Sequence, residues 1–303
     1  MTMSTPVYRD DVHPPAGAVH EAVRVALAED LLPLGDLSAA LLPEHSRARG
    51  AFVARVPGVV AGTRCVEQTC LQVDTELEVT WLVGEGGEIG PGEVIGRVEG
   101  RLRSLLTAER TALNFLCHLS GVATAARRYV EAARAANPSA RIWDTRKTTP
   151  GLRSLEKAAV RAGGAANHRG SLSEAVLIKD NHLVGLSISK AVRLALERWP
   201  GRMVEVECER AEQVAEALDA GATLVMCDNM SPDEVRECVQ LVRGHSRGAT
   251  GSVLVEASGG VNLENVAAFA RAGADVISVG ALTHSVVALD IGLDLETVTF
   301  TAS

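Results

Sequence analysis

Positive charge suited to holding an anion is concentrated in one short segment of this sequence. All four lysines fall between positions 147 and 190, and residues 146–179 contain four Arg and three Lys against two Glu, a local charge of +5. Such a concentration favours a small, highly anionic ligand, although a solvated helix face would give the same count. Arg153, Lys157 and Arg161, spaced four apart, fit the second explanation. The candidates that remain for the ligand are Arg146, Lys147, His168, Arg169 and Lys179.

Carboxylates supply the complementary chemistry. Glu205 and Glu207 are two positions apart in an apolar run, so their side chains lie on one face of a strand. Asp228 ends the next apolar run and is placed to join them. Oxygen ligands of this kind suit Mg²⁺ that is held partly by substrate phosphates. For Glu205 itself we favour pairing with an arginine inside the fold, because an unpaired buried carboxylate is costly.

Two glycine-containing segments have the composition of phosphate-binding loops. Ser258-Gly259-Gly260 and Gly280-Ala281 each precede a helical segment, which leaves backbone N–H groups free to approach a phosphate. A Ser-Gly-Gly sequence is usually only a turn. The loops after the last two strands, however, commonly form the phosphate site of eight-stranded barrels, so their position favours phosphate binding.

All of these residues follow short apolar runs that alternate with helical spacing. Strands are predicted at 140–145, 175–179, 203–208, 223–228, 252–257 and 275–280, and helices at 152–161, 188–199, 211–220, 232–243 and 263–272. Helix stop signals agree, because Ala-Gly-Ala repeats occur at Gly163/Gly164, Gly221 and Gly273. The alternation predicts parallel strands with right-handed crossovers, in a barrel or a doubly wound sheet. Function in such folds gathers at the carboxyl ends of the strands, which is where the candidate residues stand.

The first 105 residues have a different pattern. A helical segment at 19–32 precedes β-rich stretches at 50–60, 77–83 and 94–99, and a long amphipathic helix at 105–136 connects them to the alternating region. We predict an α+β N-terminal domain joined to an α/β barrel-like domain. The glycine-rich stretch 86–96 resembles half of a biotinyl or lipoyl carrier, but it lacks the lysine that such carriers need.

The composition excludes several classes of partner. The chain has 303 residues, a formal net charge of −8 and 47% hydrophobic residues. Binders of nucleic acid or of anionic membranes usually carry a basic excess, so neither partner is expected. No apolar run is long enough to span a bilayer, and the six cysteines lack CxxC spacing. We expect a cytoplasmic protein with buried free thiols.

Eight motifs follow one another along the chain: ERTALN from Glu109, DTRKTTPG from Asp144, NHR from Asn167, LIKDNH from Leu177, VEVE from Val204, CDN from Cys227, EASGG from Glu256 and VGALTH from Val279. Motifs of this length in this order are highly specific. Together they resemble the quinolinate phosphoribosyltransferase family, over roughly residues 19–295. Departures are modest: about eighteen extra N-terminal residues, and Ser38 where Thr is usual.

The resemblance implies transfer of phosphoribosyl from phosphoribosyl pyrophosphate (PRPP) to quinolinate with loss of the 2-carboxylate. The products would be nicotinate mononucleotide, pyrophosphate and CO₂, in de novo NAD biosynthesis. The fold implied is an incomplete, six-stranded α/β barrel plus an α+β N-terminal domain that also takes the C-terminal tail, where residues 297–301 are expected to add a strand. Expected bounds are a flexible extension at 1–18, the N-terminal domain at 19–112 with 288–303, and the barrel at 113–287.

The resemblance also implies roles for individual residues. Planar Arg recognises carboxylates bidentately, whereas Lys acts on phosphate as a point charge. Quinolinate would be held by Arg146, His168, Arg169 and Lys179, with Arg110 donated by the other subunit of a homodimer. Thr145 and Lys147 would line the same site, Lys147 and Lys179 would face pyrophosphate, and Ser258, Gly259, Gly260, Gly280, Ala281 and His284 would surround the 5′-phosphate. Glu207 and Asp228 would hold ribose hydroxyls or Mg²⁺, and the catalytic set would be Lys147, Lys179, Glu207 and Asp228.

Two alternatives stay open at the level of sequence. Relatives associated with molybdate-transport operons share much of the pattern and act on less certain substrates. A non-catalytic barrel that senses a phosphorylated ligand is the other. The joint presence of Lys147, Lys179, Glu207 and Asp228 favours an enzyme, and the nearly complete set of cations favours quinolinate.

Overall fold

The computed structural model describes residues 12–246 and 253–299 and separates into two compact units. The first comprises Met1–Arg127, Thr148–Gly164 and Ser285–Ser303, and the second comprises Arg128–Lys147 and Ala165–His284. Residues 1–11 of the predicted flexible extension lie outside the described residues. The domain bounds that the sequence analysis gives stay a prediction.

The elements of the first unit are α1 (Ala16–Leu31), β1 (Arg47–Ala54), β2 (Gly58–Val59), α2 (Thr63–Val73), β3 (Glu78–Trp81), β4 (Glu88–Ile89), β5 (Val94–Arg101), α4 (Arg153–Ala162) and β12 (Ile291–Thr299). Four of the strands form an antiparallel sheet in the order β12-β1-β5-β3, and β2 and β4 form a separate pair. The apolar face of the four-stranded sheet packs with buried helical residues into a core that includes Phe52, Ile95 and Leu116.

The C-terminal strand confirms that the tail returns to the N-terminal sheet. β12 pairs antiparallel with β1 from Ala54↔Ile291 to Arg47↔Thr299. It begins earlier than the predicted 297–301, and residues 300–303 lie outside the described part of the chain. The β-rich stretches predicted near the N-terminus are likewise confirmed as β1 to β3 and β5.

A 35-residue helix, α3 (Leu102–Ala136), confirms the predicted connection. Its leucine stripe, Leu113, Leu116 and Leu119, is buried, as the three-residue spacing indicates. The expected solvated face of α4 is wrong for Lys157, whose exposed fraction is only 6%. The reason is that α4 is buried along most of its length, so a charge repeat of four residues did not mark a surface here.

The second unit contains six parallel strands: β6 (Arg141–Trp143), β7 (Val176–Ile178), β8 (Val204–Cys208), β9 (Leu224–Asp228), β10 (Leu254–Ser258) and β11 (Val276–Ser278). They are arranged in the order β6-β11-β10-β9-β8-β7. Strands β7 to β11 are neighbours in chain order and β6 pairs with β11, which is the order of a barrel that is open between β6 and β7, so the incomplete six-stranded barrel is confirmed.

The helices of the second unit are α5 (Ile188–Arg198), α6 (Ala211–Ala220), α7 (Pro232–Gly244), α8 (Val266–Ala272) and α9 (Ala281–His284). Local signals set their ends. α7 begins with a capping box in which the Ser231 hydroxyl accepts from the Glu234 N–H, and Pro232 follows the cap. α6 and α8 are followed by Gly221 and Gly273, both with positive φ, as the Ala-Gly-Ala repeats predict. No described helix combines the length and apolarity needed to cross a membrane.

Candidate active site

A cavity of about 510 Å³ opens at the carboxyl ends of the parallel strands in the second unit. Parallel strands bring the loops that follow them to one edge, so residues far apart in sequence meet there. Most of the candidates from the sequence line it: Thr145, Arg146, Lys147, His168, Arg169, Lys179, Glu207, Asp228, Ser258, Gly259 and Gly260.

Guanidinium groups form one wall of the cavity. Arg169 donates through Nη1 to the carbonyl of Ala175 at 3.0 Å, which fixes the direction of its side chain. Burial lowers the pKa of Arg169, and the nearby charge of Arg146 lowers it further. Two cations held this close are costly without an anion between or beside them, so this wall is suited to an anionic ligand.

His168 is engaged within the protein through both ring nitrogens. Nδ1 accepts from the backbone N–H of Arg169 at 2.7 Å, while Nε2 lies 3.0 Å from Glu205 and 3.5 Å from Glu256. The backbone N–H of His168 donates to Asp144 Oδ1 at 2.8 Å. The imidazole therefore supports the turn that carries Arg169, and its contact with quinolinate stays a prediction.

Two fully buried carboxyl groups, Glu205 and Glu256, lie beside that imidazole and are called the floor pair below; of the two, Glu256 lines the cavity. One oxygen from each of Glu205 and Glu256 lies within 4.8 Å of the His168 nitrogen and of the other. The pKa of each is raised to about 8, mainly by burial; the negative charge of Glu205 contributes to the rise at Glu256, while Arg169 opposes the rise at Glu205. The expected arginine partner of Glu205 is thus replaced at contact distance by His168.

At the rim of the cavity the carboxylates have cationic and amide partners instead. Lys179 Nζ forms an ion pair with Glu207 Oε2. Asp228 Oδ2 accepts from the side-chain amide of Asn229 at 2.8 Å. Asp228 ends β9, and Glu207 is the last residue but one of the neighbouring strand β8, so both can address the same polar group of a ligand.

The loop that follows β10, next to Asp228, has the backbone geometry of an anion-binding loop. Gly259 and Gly260 have φ values of +88° and +61°, a conformation that side chains disfavour. A Cβ on Gly280 would lie 3.0 Å from His284 Nε2 and 3.2 Å from Lys147 Cδ. Gly280 and His284 therefore lie close to Lys147, although they and Ala281 are not among the residues lining the cavity.

Arg110 is the predicted site residue that belongs to the first unit. It lies on α3 and is exposed, in the same helix as Thr107 and Thr111, whose hydroxyls donate to Asp36 and Asp30. Its contribution to a neighbouring copy stays a prediction.

Sequence reasoning missed five residues that line the cavity. Asn229 and Leu177 lie within the recognised motifs, and Glu256 begins the EASGG motif, so their positions were visible but no role was given to them. Met226 and Ser278 carry no motif signal that distinguishes them from other strand residues. The five are Leu177, Met226, Asn229, Glu256 and Ser278.

Two family models match most of the chain. The model for the N-terminal domain of quinolinate phosphoribosyl transferase matches residues 36–120, and the model for its C-terminal domain matches residues 122–294. The nicotinate-nucleotide pyrophosphorylase (carboxylating) of Mycobacterium leprae is 42% identical over 285 residues, which cover 92% of this chain and 97% of the relative.

Further relatives agree in sequence and in fold. Quinolinate phosphoribosyltransferase (decarboxylating) 2b, mitochondrial, of Nicotiana tabacum is 38% identical, with 98% of this chain and 88% of the relative covered. The solved structure of the nicotinate-nucleotide pyrophosphorylase from Francisella tularensis has a TM-score of 0.88 at 34% identity, covering 95% of this chain and 99% of that one.

Proposed function

The chain belongs to the quinolinate phosphoribosyltransferase family, and from that premise we propose that it makes nicotinate mononucleotide from quinolinate and PRPP, releasing pyrophosphate and CO₂. The observation that carries this proposal is the cavity in which the cations of Arg146, Arg169 and Lys179 face the carboxylates of Glu207 and Asp228. This arrangement fits one strongly anionic substrate and one ribosyl centre that becomes positive. The reaction belongs to NAD biosynthesis.

Recognition of quinolinate follows from the guanidinium wall. Quinolinate is a planar dianion, and a guanidinium donates two parallel hydrogen bonds to a carboxylate. Arg146 and Arg169 supply these donors, and His168 holds the turn that aims Arg169. Each charge-assisted hydrogen bond contributes about 1.5–3 kcal/mol, so loss of one arginine is expected to weaken binding about 10- to 100-fold.

Ribosyl transfer is promoted by orientation and electrostatics rather than by a covalent nucleophile. The pyridine nitrogen attacks C1′ of the ribose while pyrophosphate leaves, and positive charge develops on the sugar. Glu207 and Asp228 offset that charge, and Lys147 and Lys179 stabilise the departing pyrophosphate.

Mg²⁺ fits the donor set at the rim. Glu207 and Asp228 offer only oxygen ligands, at neighbouring strand ends that line one cavity, which suits a cation held partly by substrate phosphates. The ion would neutralise the pyrophosphate. Omission of Mg²⁺, or its removal by a chelator, is expected to abolish activity that added Mg²⁺ restores.

Decarboxylation follows from the charge on the ribosylated ring. The cationic nitrogen stabilises the electron pair that remains at C2 when the C2–CO₂ bond breaks, and a proton then takes the place of CO₂. We place this loss after ribosyl transfer, because only the transfer makes the nitrogen cationic.

We further propose a homodimer in which Arg110 completes the site of the neighbouring copy. Arg110 is exposed, and Leu32, Leu34, Leu37 and Leu41 of the same unit have exposed fractions of 65–87%. An apolar patch of this kind is typical of a protein–protein contact. Sedimentation analysis is expected to give twice the chain mass.

The proposed compartment is the cytoplasm. All six cysteines are free, and all but Cys117 are buried, a state that suits a reducing compartment. The mitochondrial label in the name of the Nicotiana tabacum relative belongs to that protein, and cell fractionation decides between the two locations.

The decisive test combines the protein with quinolinate, PRPP and Mg²⁺ and measures CO₂ and pyrophosphate. Equal amounts of both products are expected, and both must require all three components. Absence of CO₂ would contradict the proposal. It would favour a relative with another substrate or a non-catalytic barrel that binds a phosphorylated ligand.

A further inference from the structure

Asn229 has an unusual backbone conformation at the edge of the cavity. Its φ is +56°, and no other non-glycine residue among those described has a positive φ. Side chains disfavour this region, although asparagine tolerates it better than most residues. Such a conformation persists only where surrounding contacts hold it, and such positions cluster at functional sites.

The contacts that hold Asn229 join two strand ends. Its side-chain Nδ2 donates to Asp228 Oδ2 at 2.8 Å, and its backbone N–H donates to the carbonyl of Ser258 at 2.9 Å. Because an ionised carboxylate only accepts hydrogen bonds, the amide nitrogen must face Asp228 and the amide oxygen must face away from it.

The loop after β10 is shaped to receive that amide. A Cβ on Gly259 would lie 2.2 Å from Asn229 Oδ1 and 2.7 Å from its backbone nitrogen, closer than atoms can approach. Gly259 also has a φ of +88°. The glycine therefore leaves room for the amide as well as allowing the turn.

We infer that Asn229 is a positioning residue that sets the distance between the two ends of the PRPP site. This inference rests on the proposed function, in which Asp228 addresses the ribose hydroxyls and Ser258 to Gly260 surround the 5′-phosphate. Those groups belong to one sugar ring, so their separation in the substrate is nearly fixed. An enzyme that binds both ends gains affinity only if its own two subsites are held at the matching distance.

A purely structural turn makes a different prediction from a positioning residue. Loss of a structural turn lowers stability and affects both substrates alike. Loss of a positioning residue weakens PRPP binding selectively, because Arg146 and Arg169, the quinolinate wall, lie after β6 and before β7 and not in the loops after β9 and β10.

The test uses Asn229→Gly, because glycine adopts the same φ without strain and removes only the amide. The KM for PRPP is expected to rise about ten-fold, the loss typical of one hydrogen bond to a charged group, while the KM for quinolinate stays within about two-fold. Asn229→Ala is expected to show the same selective rise with a lower Tm, because alanine adds backbone strain.

A matched control is Asn137→Ala. Asn137 also uses its amide to bridge two elements, donating to the carbonyl of Ala270 at 3.1 Å, but it does not line the cavity. This variant is expected to lower Tm and to leave both KM values unchanged. Gly259→Ala, which displaces the Asn229 amide from its other side, is expected to raise the KM for PRPP.

Unchanged PRPP kinetics in Asn229→Gly, or equal rises in both KM values, would overturn the inference. Calorimetric titration of PRPP into the wild-type protein and the variant distinguishes failure of this inference from failure of the proposed function. If the wild type binds PRPP but makes no CO₂, the proposed function fails, and a ten-fold weaker Kd in Asn229→Gly still supports the inference. A wild type that does not bind PRPP contradicts both.

Discussion

Glu205 and Glu207 lie two residues apart on β8, yet they occupy different environments. Glu205 is fully buried beside His168 and, with Glu256, has a pKa raised to about 8, whereas Glu207 is partly exposed and pairs with Lys179. The floor pair thus retains a proton near neutral pH because it is buried away from solvent. The rim carboxylates, in contrast, have polar partners. Depth in the barrel, rather than residue type, decides which carboxylate can offset charge on a substrate.

The largest effect is expected at the rim. Glu207→Gln keeps the shape of the side chain and removes the charge proposed to face the ribosyl centre, so kcat is expected to fall about 100-fold or more. Steady-state kinetics with both substrates measures this fall. Glu212→Gln, at an exposed position of α6, serves as the control and should retain full activity. A comparable rate in the two variants would remove the distinction between rim and surface.

The next effect concerns the guanidinium wall formed by Arg146 and Arg169. Arg169→Lys keeps the charge but loses the forked donor geometry, so the KM for quinolinate is expected to rise about ten-fold. Arg193→Lys, on an exposed position of α5, is the control. If the KM for quinolinate does not change, Arg169 acts only as a point charge.

The next test asks whether Arg110 of a second copy completes the quinolinate site. Arg110→Ala and Glu207→Ala are each expected to be inactive, and mixing them should restore about a quarter of wild-type activity, because each heterodimer carries one intact site. Subunit exchange is verified with differently tagged chains. Exchange without recovery means that Arg110 acts in its own chain or plays no part in the site.

The smallest effect on activity is expected at the floor. Glu256→Gln imitates the protonated carboxyl, so the rate at pH 7 should change less than about three-fold. Stability should change with pH, because the folded-state pKa of about 8 lies above the ordinary glutamate value of 4.5. Between these values the native state binds more protons than the unfolded state, so wild-type stability falls as pH rises.

Urea denaturation measures this difference. Below about pH 4.5 the Glu256 carboxyl is protonated in the folded and the unfolded state, so its replacement by Gln brings no gain in the free energy of unfolding. At pH 8 the free energy of unfolding of Glu256→Gln is expected to exceed that of the wild type by on the order of 4 kcal/mol. A stability difference that does not vary with pH would show that burial does not raise the pKa of Glu256.

Much of the fold was predictable because strand periodicity and glycine stops are local signals. All six barrel strands and the long helix α3 fall where the apolar runs and leucine spacing predict them. Lys157 shows the limit of such signals, since a charge repeat does not reveal that a neighbouring element covers it.

The candidate site divides in the same way. The strand-end pattern marked the residues around the cavity, but not the pairing of Glu205 with Glu256, which lie on strands separated by β9. Nor could the motifs distinguish Asn229 from any other loop residue, because its role depends on a positive φ and on the space above Gly259.

The sequence by itself determined the family, the alternation of strands and helices, and the set of charged residues available for chemistry. The tertiary structure decided which of these residues meet and which of them lose water: His168 with the floor pair, Lys179 with Glu207, and Asn229 with Asp228 and Ser258. The physical reason is that strand periodicity depends on neighbours along the chain. Burial and ionisation depend on groups that only the folding of the barrel brings together.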